Sequence, residues 1–149
     1  MLAVQLAERD LVDVSSETDE TRRIRFDFPI SSVAGAASTA VVYFELEPGE
    51  HTGMHTDSAE EIVFILSGRA EATVGDERGE LSAGGLGLVP ALVLHDVRNI
   101  GEETLRVVGF FSSGIVVSVF EDPLLPAGKR IVGTPLPDES EVVPAAVAA

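Results

Sequence analysis

Cysteine is absent from the 149 residues, and tryptophan is absent as well. Without thiols the chain can form no disulfide framework, no thiolate nucleophile and no cysteine-based zinc site. The three histidines and the carboxylates are therefore the side chains available as metal ligands.

Basic residues are scarce: 10 Lys and Arg stand against 25 Asp and Glu, for a formal net charge of −15. Such a surface repels phosphate backbones and anionic lipid head groups, so we expect neither a nucleic-acid nor a membrane partner. Long apolar stretches are lacking too, because uncharged runs such as 81–94 and 107–120 are shorter than the roughly 18–20 residues that span a bilayer. The N-terminal "MLAVQLAERD" lacks the basic and apolar regions of a signal peptide, and we expect a soluble, cytoplasmic protein.

Short apolar segments separated by Gly and Pro are what the sequence does contain. The i, i+3, i+4 spacing of a long helix is not sustained anywhere, whereas short β-type runs recur at regular intervals. The predicted strands are 22–28, 39–47, 51–56, 61–67, 69–74, 86–89, 93–98, 104–111 and 115–120. This spacing predicts an all-β sandwich or barrel.

The length suits one domain, within which three parts are predicted. Residues 1–37 form an N-terminal arm with edge strands or a short helix, and 38–122 form the barrel core. From Pro123 the chain becomes rich in Pro, Gly and Ala, which predicts an irregular C-terminal extension over 123–149.

Two histidines lie close together in "PGEHTGMHTDSAEEIVFILSG", which runs from Pro48 to Gly68. In an extended strand His51, His55 and Asp57 share one face, and His55 and Asp57 can lean onto one ion. His51 is roughly 20 Å of extended chain from Asp57, so it is not expected to be a ligand; it is either a pocket residue or a histidine at the mouth or on the surface.

Two further polar residues occur in apolar surroundings. Glu61 begins a strongly apolar strand, as either a solvated residue or a ligand at the mouth of the core. His95 is flanked on its own strand face by Val93 and Val97, and a polar ring in an apolar interior requires a partner.

These two stretches resemble the two motifs of the cupin superfamily, in its small single-domain form. Asp57 stands where the first motif usually has a second histidine, and Leu92 where the second motif usually has a glycine. The resemblance covers residues 38–120, and the matching positions are Gly49, His55, Glu61 and Gly68 in the first motif and Gly84, Pro90, His95 and Asn99 in the second.

The resemblance implies a double-stranded β-helix, or jelly roll, with a divalent metal ion inside it. His55, Glu61 and His95 match ligand positions outright, and Asp57 matches by position but not by type. Asp57 is either a fourth ligand or an aspartate that caps a turn. Two imidazoles with one or two carboxylates suit iron, manganese, nickel or zinc. Glu61, or Asp57 if it is not a ligand, is a candidate catalytic base.

A metal in a jelly-roll pocket is compatible with oxygen activation, with isomerase or lyase chemistry, and with simple ligand binding. The leading hypothesis is a small metalloenzyme that acts on an oxygenated small molecule, with dioxygenase chemistry first among the candidates. The alternative is a non-catalytic cupin that binds or senses a small ligand, with a retuned or lost metal site. The resemblance also implies a homodimer, paired through edge strands.

Overall fold

The structure is a computed structural model that describes residues 1–135. Strands dominate it, and the described helical segments are two short 3₁₀ turns, Leu6–Glu8 and Ser32–Ala34. The strands are β1 (Val12–Ser15), β2 (Arg23–Ile30), β3 (Ala40–Leu46), β4 (His55–Asp57), β5 (Glu61–Ser67), β6 (Arg69–Val74), β7 (Glu77–Ser82), β8 (Leu86–Val89), β9 (His95–Asn99), β10 (Leu105–Phe111), β11 (Val116–Leu124) and β12 (Lys129–Thr134).

The strands form two six-stranded antiparallel sheets. Their orders are β1-β2-β3-β10-β5-β8 and β12-β11-β4-β9-β6-β7. Strands that are distant in sequence are neighbours in each sheet, β3 with β10 in the first and β4 with β9 in the second, as in a jelly roll. The predicted all-β jelly-roll fold is confirmed.

Strand alternation places the core between the sheets. On β3, Val42 and Phe44 point inward, and on β10 Val107 and Phe111 do the same. Burial of each such side chain contributes about 1.5–3 kcal/mol, which is why the apolar alternation of these strands sets their inward face.

The predicted irregular extension is wrong for residues 123–134. β11 continues to Leu124, and β12 returns antiparallel to it with Val116 opposite Thr134. Pro123 lies near the end of β11, and Pro126 and Gly128 lie in the connection to β12, where the register shifts and a missing ladder bond is tolerated. The remainder of the predicted extension, 136–149, lies outside the described residues.

The N-terminal prediction left a strand and a helix open, and residues 1–15 contain both a 3₁₀ turn and the edge strand β1. Within residues 1–135 no helix is long and apolar enough to cross a membrane.

Candidate metal centre

Three candidate ligands converge where β4 meets β9. His55 is directly opposite His95 in the antiparallel pairing, and the two imidazole centroids are 4.0 Å apart. Asp57 lies two residues beyond His55 on the same strand, so its side chain returns to the same face. One ligand atom from each of the three residues lies within 4.8 Å of the others.

The backbone fixes how both imidazole rings are presented. His55 Nδ1 lies 2.8 Å from the Gly53 carbonyl oxygen, and His95 Nδ1 lies 2.9 Å from that of Val93. Because a carbonyl only accepts, each Nδ1 carries the proton, and each Nε2 of the neutral ring presents a lone pair. This is how backbone carbonyls orient histidines that bind metals.

His95 Nε2 is buried and makes no hydrogen bond. It lies 3.0 Å from Asp57 Oδ2, but a lone pair facing a carboxylate oxygen is a contact between two acceptors. His55 Nε2 lies 3.9 Å from the same oxygen. A cation among these atoms would satisfy all three, and so the donor set fits a divalent metal ion.

The electrostatics of the three residues are coupled. Burial lowers the pKa of His55 to about 4, so this ring is neutral at physiological pH. Burial alone would raise the pKa of Asp57, but the neighbouring His55 and His95 and the Ser118 hydroxyl together lower it. Burial alone would also lower the pKa of His95, yet the Asp57 carboxylate, 3.0 Å from Nε2, raises it because a protonated ring would donate to that oxygen. A proton on His95 is therefore the competitor of a metal ion here.

Asp57 is oriented by β11 and does not cap a turn. It is buried in β4, opposite Ser118, whose hydroxyl donates a 2.5 Å hydrogen bond to Oδ1. That bond leaves Oδ2 to face the two histidines.

Glu61 approaches the centre from the opposite sheet. Its carboxyl is buried, and Oε1 lies 3.8 Å from His95 Nε2, beyond the three-residue group. Burial, and then the negative charge of Asp57, raises the pKa of Glu61 to about 8. Gly109 of β10 provides the space, because a Cβ at that position would lie 2.0 Å from Glu61 Oε2.

His51 lies outside this centre. Nδ1 is 2.8 Å from Asp96 Oδ2 and Nε2 is 2.8 Å from Asp19 Oδ2, and the hydrogen bond with Asp96 is the main cause of a raised pKa. It does not line the cavity beside the metal centre, contrary to the expected pocket role. The predicted alternation fails because Gly53, with φ of 84°, interrupts the extended chain, and β4 begins only at His55.

The cavity beside the centre has one polar end and apolar walls. It measures about 60 Å³ as space open to the centre of a water molecule. The polar end is formed by Thr52, His55, Asp57, Glu61, His95 and Ser118, and the walls by Val14, Ile24, Phe26, Phe28, Val42, Phe44, Val63, Val97, Phe111, Phe120, Leu124 and Val132. The lining therefore contains neither Lys nor Arg.

Comparison with known proteins identifies the family. The family model for the cupin domain matches residues 42–111. An uncharacterized protein of Streptomyces coelicolor is 36% identical over 73 residues, which are 49% of this chain and 69% of that protein. This chain belongs to the cupin family.

Solved structures of other cupins share the fold. Oxalate decarboxylase from Lactobacillus farciminis, as a formate complex, superposes with a TM-score of 0.64 at 23% identity, over 74% of this chain and 33% of that one. A putative sugar phosphate isomerase from Acidithiobacillus ferrooxidans gives 0.61 at 18% identity, over 96% of this chain and 94% of that one. This cupin thus spans about a third of the decarboxylase, and at these identities the likeness concerns the fold alone.

The sequence did not predict the residues that pack against the His55 ring, Phe120 and Arg22. Phe120 stacks on the His55 ring with centroids 4.5 Å apart. The Arg22 guanidinium lies over the Phe120 ring, 5.3 Å from its centroid. Arg22 is only 3% exposed and donates to the carbonyls of Thr52 and Asp122. Arg22 is the first residue of the predicted strand 22–28 and lies 33 residues before His55, and no local pattern connects the two.

Proposed function

We propose that this cupin binds one divalent metal ion through His55, Asp57 and His95. Iron, manganese, nickel and zinc all suit this donor set. The observation that carries the proposal is His95 Nε2, a buried lone pair without a hydrogen bond that faces a carboxylate. Glu61 is either a fourth ligand or a base beside the metal.

The protein's part in catalysis is orientation, exclusion of water and proton storage. A bound ion would supply Lewis acidity and, if it is iron or manganese, one-electron chemistry. The Gly53 and Val93 carbonyls hold the two rings, and Ser118 holds Asp57. Glu61, with a pKa of about 8, holds a proton on its carboxyl at neutral pH until a substrate or ion displaces it.

The cavity favours a small, uncharged, oxygenated molecule with an apolar body. A single water needs roughly 10–15 Å³ on the same measure, so the cavity of about 60 Å³ holds a molecule of about four to six non-hydrogen atoms. The absence of Lys and Arg from the lining, together with two carboxyl side chains at the polar end, disfavours multiply charged anions. We therefore propose an oxygen-dependent reaction, with a dioxygenase as the leading class, and not the oxalate or sugar phosphate named for the neighbours.

Metal analysis of protein purified without chelators tests the metal site. We expect about one equivalent in the wild type and a loss of most of it in His55→Ala and in His95→Ala. His51→Gln is the matched control, because it changes the remaining histidine and leaves the centre intact. A wild-type content below about a tenth of an equivalent, unchanged in both alanine variants, would contradict the proposal.

One observation favours the non-catalytic alternative. The raised pKa of His95 beside Asp57 means that a proton can take the place of the metal. Such a protein would have lost its metal and would still bind a small ligand. Asp57→His separates the two functions, because it restores the usual imidazole. If the wild type lacks metal and Asp57→His takes up one equivalent, the alternative is correct.

A further inference from the structure

A second cavity lies between the sheets on the β6 side of His95. Small residues leave this space open: Ala70 and Ala72 face inward on β6, and Gly87 of β8 is opposite Val63. The second cavity measures about 40 Å³ as space open to the centre of a water molecule. Ten of its twelve lining residues are aliphatic or glycine, so its walls are apolar.

The second cavity adjoins the cavity beside the metal centre. Val63, His95 and Val97 line both of them. His95 is opposite His55 on β4 and opposite Val74 on β6, so its strand lies between the metal centre and the second cavity. One layer of side chains, which includes a proposed ligand, therefore separates the two spaces.

The other end of the second cavity leads to the surface. Ala72, Val74, Leu81 and Leu88 line the second cavity and also an open groove beside the β6–β7 hairpin. None of these four residues belongs to the described lining of the cavity beside the metal centre. A small molecule thus has a path from solvent to the β6 side of His95 that does not cross that cavity.

The second cavity offers water few partners. Asp96 is on the opposite face of β9 from His95, and its oxygens are already bonded. Oδ1 is 3.0 Å from Thr52 Oγ1 and from the Gly53 N–H nitrogen, and Oδ2 is 2.8 Å from His51 Nδ1. The ring nitrogens of His95 are directed at a backbone carbonyl and at the metal centre. A water needs two to four polar partners, whereas an apolar cavity stays dry and takes up small apolar molecules.

We propose that the second cavity binds dioxygen. Since a single water needs roughly 10–15 Å³ on this measure, about 40 Å³ accommodates three or four non-hydrogen atoms, which is ample for a diatomic gas. Dioxygen is apolar and gives up no hydrogen bond when it leaves water for such a space. Its use at the metal centre rests on the proposed oxygen-dependent function, in which dioxygen would arrive past His95 while the organic molecule occupies the other cavity.

Methyl relaxation NMR of the full chain tests the site with dissolved dioxygen itself. Dioxygen is paramagnetic, so the difference in relaxation rate between samples under dioxygen and under argon is largest at the methyl groups that it touches. We expect this difference to be at least about twofold larger for Ile65 and Ala70 than for Leu105 and Val116. All four residues are at most 1% exposed, but the last two line neither cavity.

The measurement requires neither turnover nor a bound metal. A chain without metal, or one whose reaction does not consume oxygen, would contradict the proposed function and would leave this test of the second cavity unaffected. The two proposals can therefore fail separately.

Filling the second cavity should abolish the effect. Ala72→Leu places a larger side chain in the cavity and should reduce the difference at Ile65 and Ala70 to that of the two reference residues. Ala37→Leu is the matched control, because it adds the same atoms at an exposed position, and it should leave the difference unchanged. Far-UV circular dichroism checks that each variant is folded, and the smaller Ala72→Val replaces Ala72→Leu if that variant is not.

Two results would overturn the proposal. Equal differences at all four residues of the wild type would mean that the second cavity does not bind dioxygen. A larger difference at Ile65 and Ala70 that persists in the folded cavity-filling variant would mean that dioxygen reaches these methyl groups from another site.

Discussion

Gly109→Ala is the substitution that most directly tests how Glu61 is held. The added Cβ would lie 2.0 Å from Glu61 Oε2 and 2.8 Å from Val42 Cγ1, both far inside contact distance. The Gly109 backbone is ordinary strand and accepts alanine, so the strain falls on these two side chains and not on the main chain. The carboxyl must move or the sheets must separate.

The expected cost follows from overpacking of a closed core, about 1–3 kcal/mol. For a domain of this length that lowers the melting temperature by roughly 3–10 °C. Gly79→Ala is the control, because no atom lies within 4 Å of its added Cβ, and we expect it to be neutral or stabilising by up to about 1 kcal/mol. Urea unfolding of the two variants gives the difference directly.

A double-mutant cycle then assigns the cost to Glu61. In a Glu61→Ala background the closest clash is gone, and Gly109→Ala should cost at least about 1 kcal/mol less than in the wild type, with the Val42 contact accounting for the remainder. If Gly109→Ala costs as little as Gly79→Ala, or costs the same with and without the Glu61 carboxyl, then Glu61 does not occupy this position in solution.

Two further predictions concern the surroundings of the centre. Ser118→Ala removes the hydrogen bond to Asp57 Oδ1 and should weaken metal binding by about 10–100-fold in calorimetric titration, whereas an unchanged affinity would mean that Asp57 is not a ligand. His51 has a folded pKa raised above its ordinary 6.5, so its stabilising effect is full below that value and is lost as pH rises through the folded pKa. The destabilisation caused by His51→Gln should therefore be larger at about pH 6 than at about pH 9 in urea unfolding, and the opposite trend would contradict this assignment.

Local alternation predicted an all-β fold and the shared face of His55 and Asp57, whereas the jelly roll and the approach of His95 were predicted through the resemblance to the cupin motifs. The residues that hold Glu61 and His55 could not be predicted in this way. Gly109 meets Glu61 only through the register of β10 with β5, which no local pattern encodes.

The prediction for His51 is wrong for a different reason. The strand predicted over 51–56 is interrupted at Gly53, so His51 does not share a face with His55. A single glycine with positive φ changes which face the preceding residues take, and a sequence pattern does not distinguish such a glycine from one in an extended strand. β12 was missed because Pro and Gly in its connection to β11 outweighed a short apolar run, Ile131 and Val132, which pairs across the sheet with Val119 and Ser118.

The contacts of Asp57 argue for a retuned centre more than for a retired one. An aspartate that had merely replaced a lost ligand would need no fixed orientation, yet Ser118 binds one oxygen and turns the other toward both histidines. The His55 ring is also held in place, because Phe120 stacks on it and Arg22 lies over the Phe120 ring. Gly53 is part of the same support, because a Cβ there would lie 2.3 Å from Arg22 Nε, while its carbonyl accepts from His55 and its N–H donates to Asp96. Burying an arginine and orienting a carboxylate both cost free energy, and a ligand held in place at the centre is what this support would preserve.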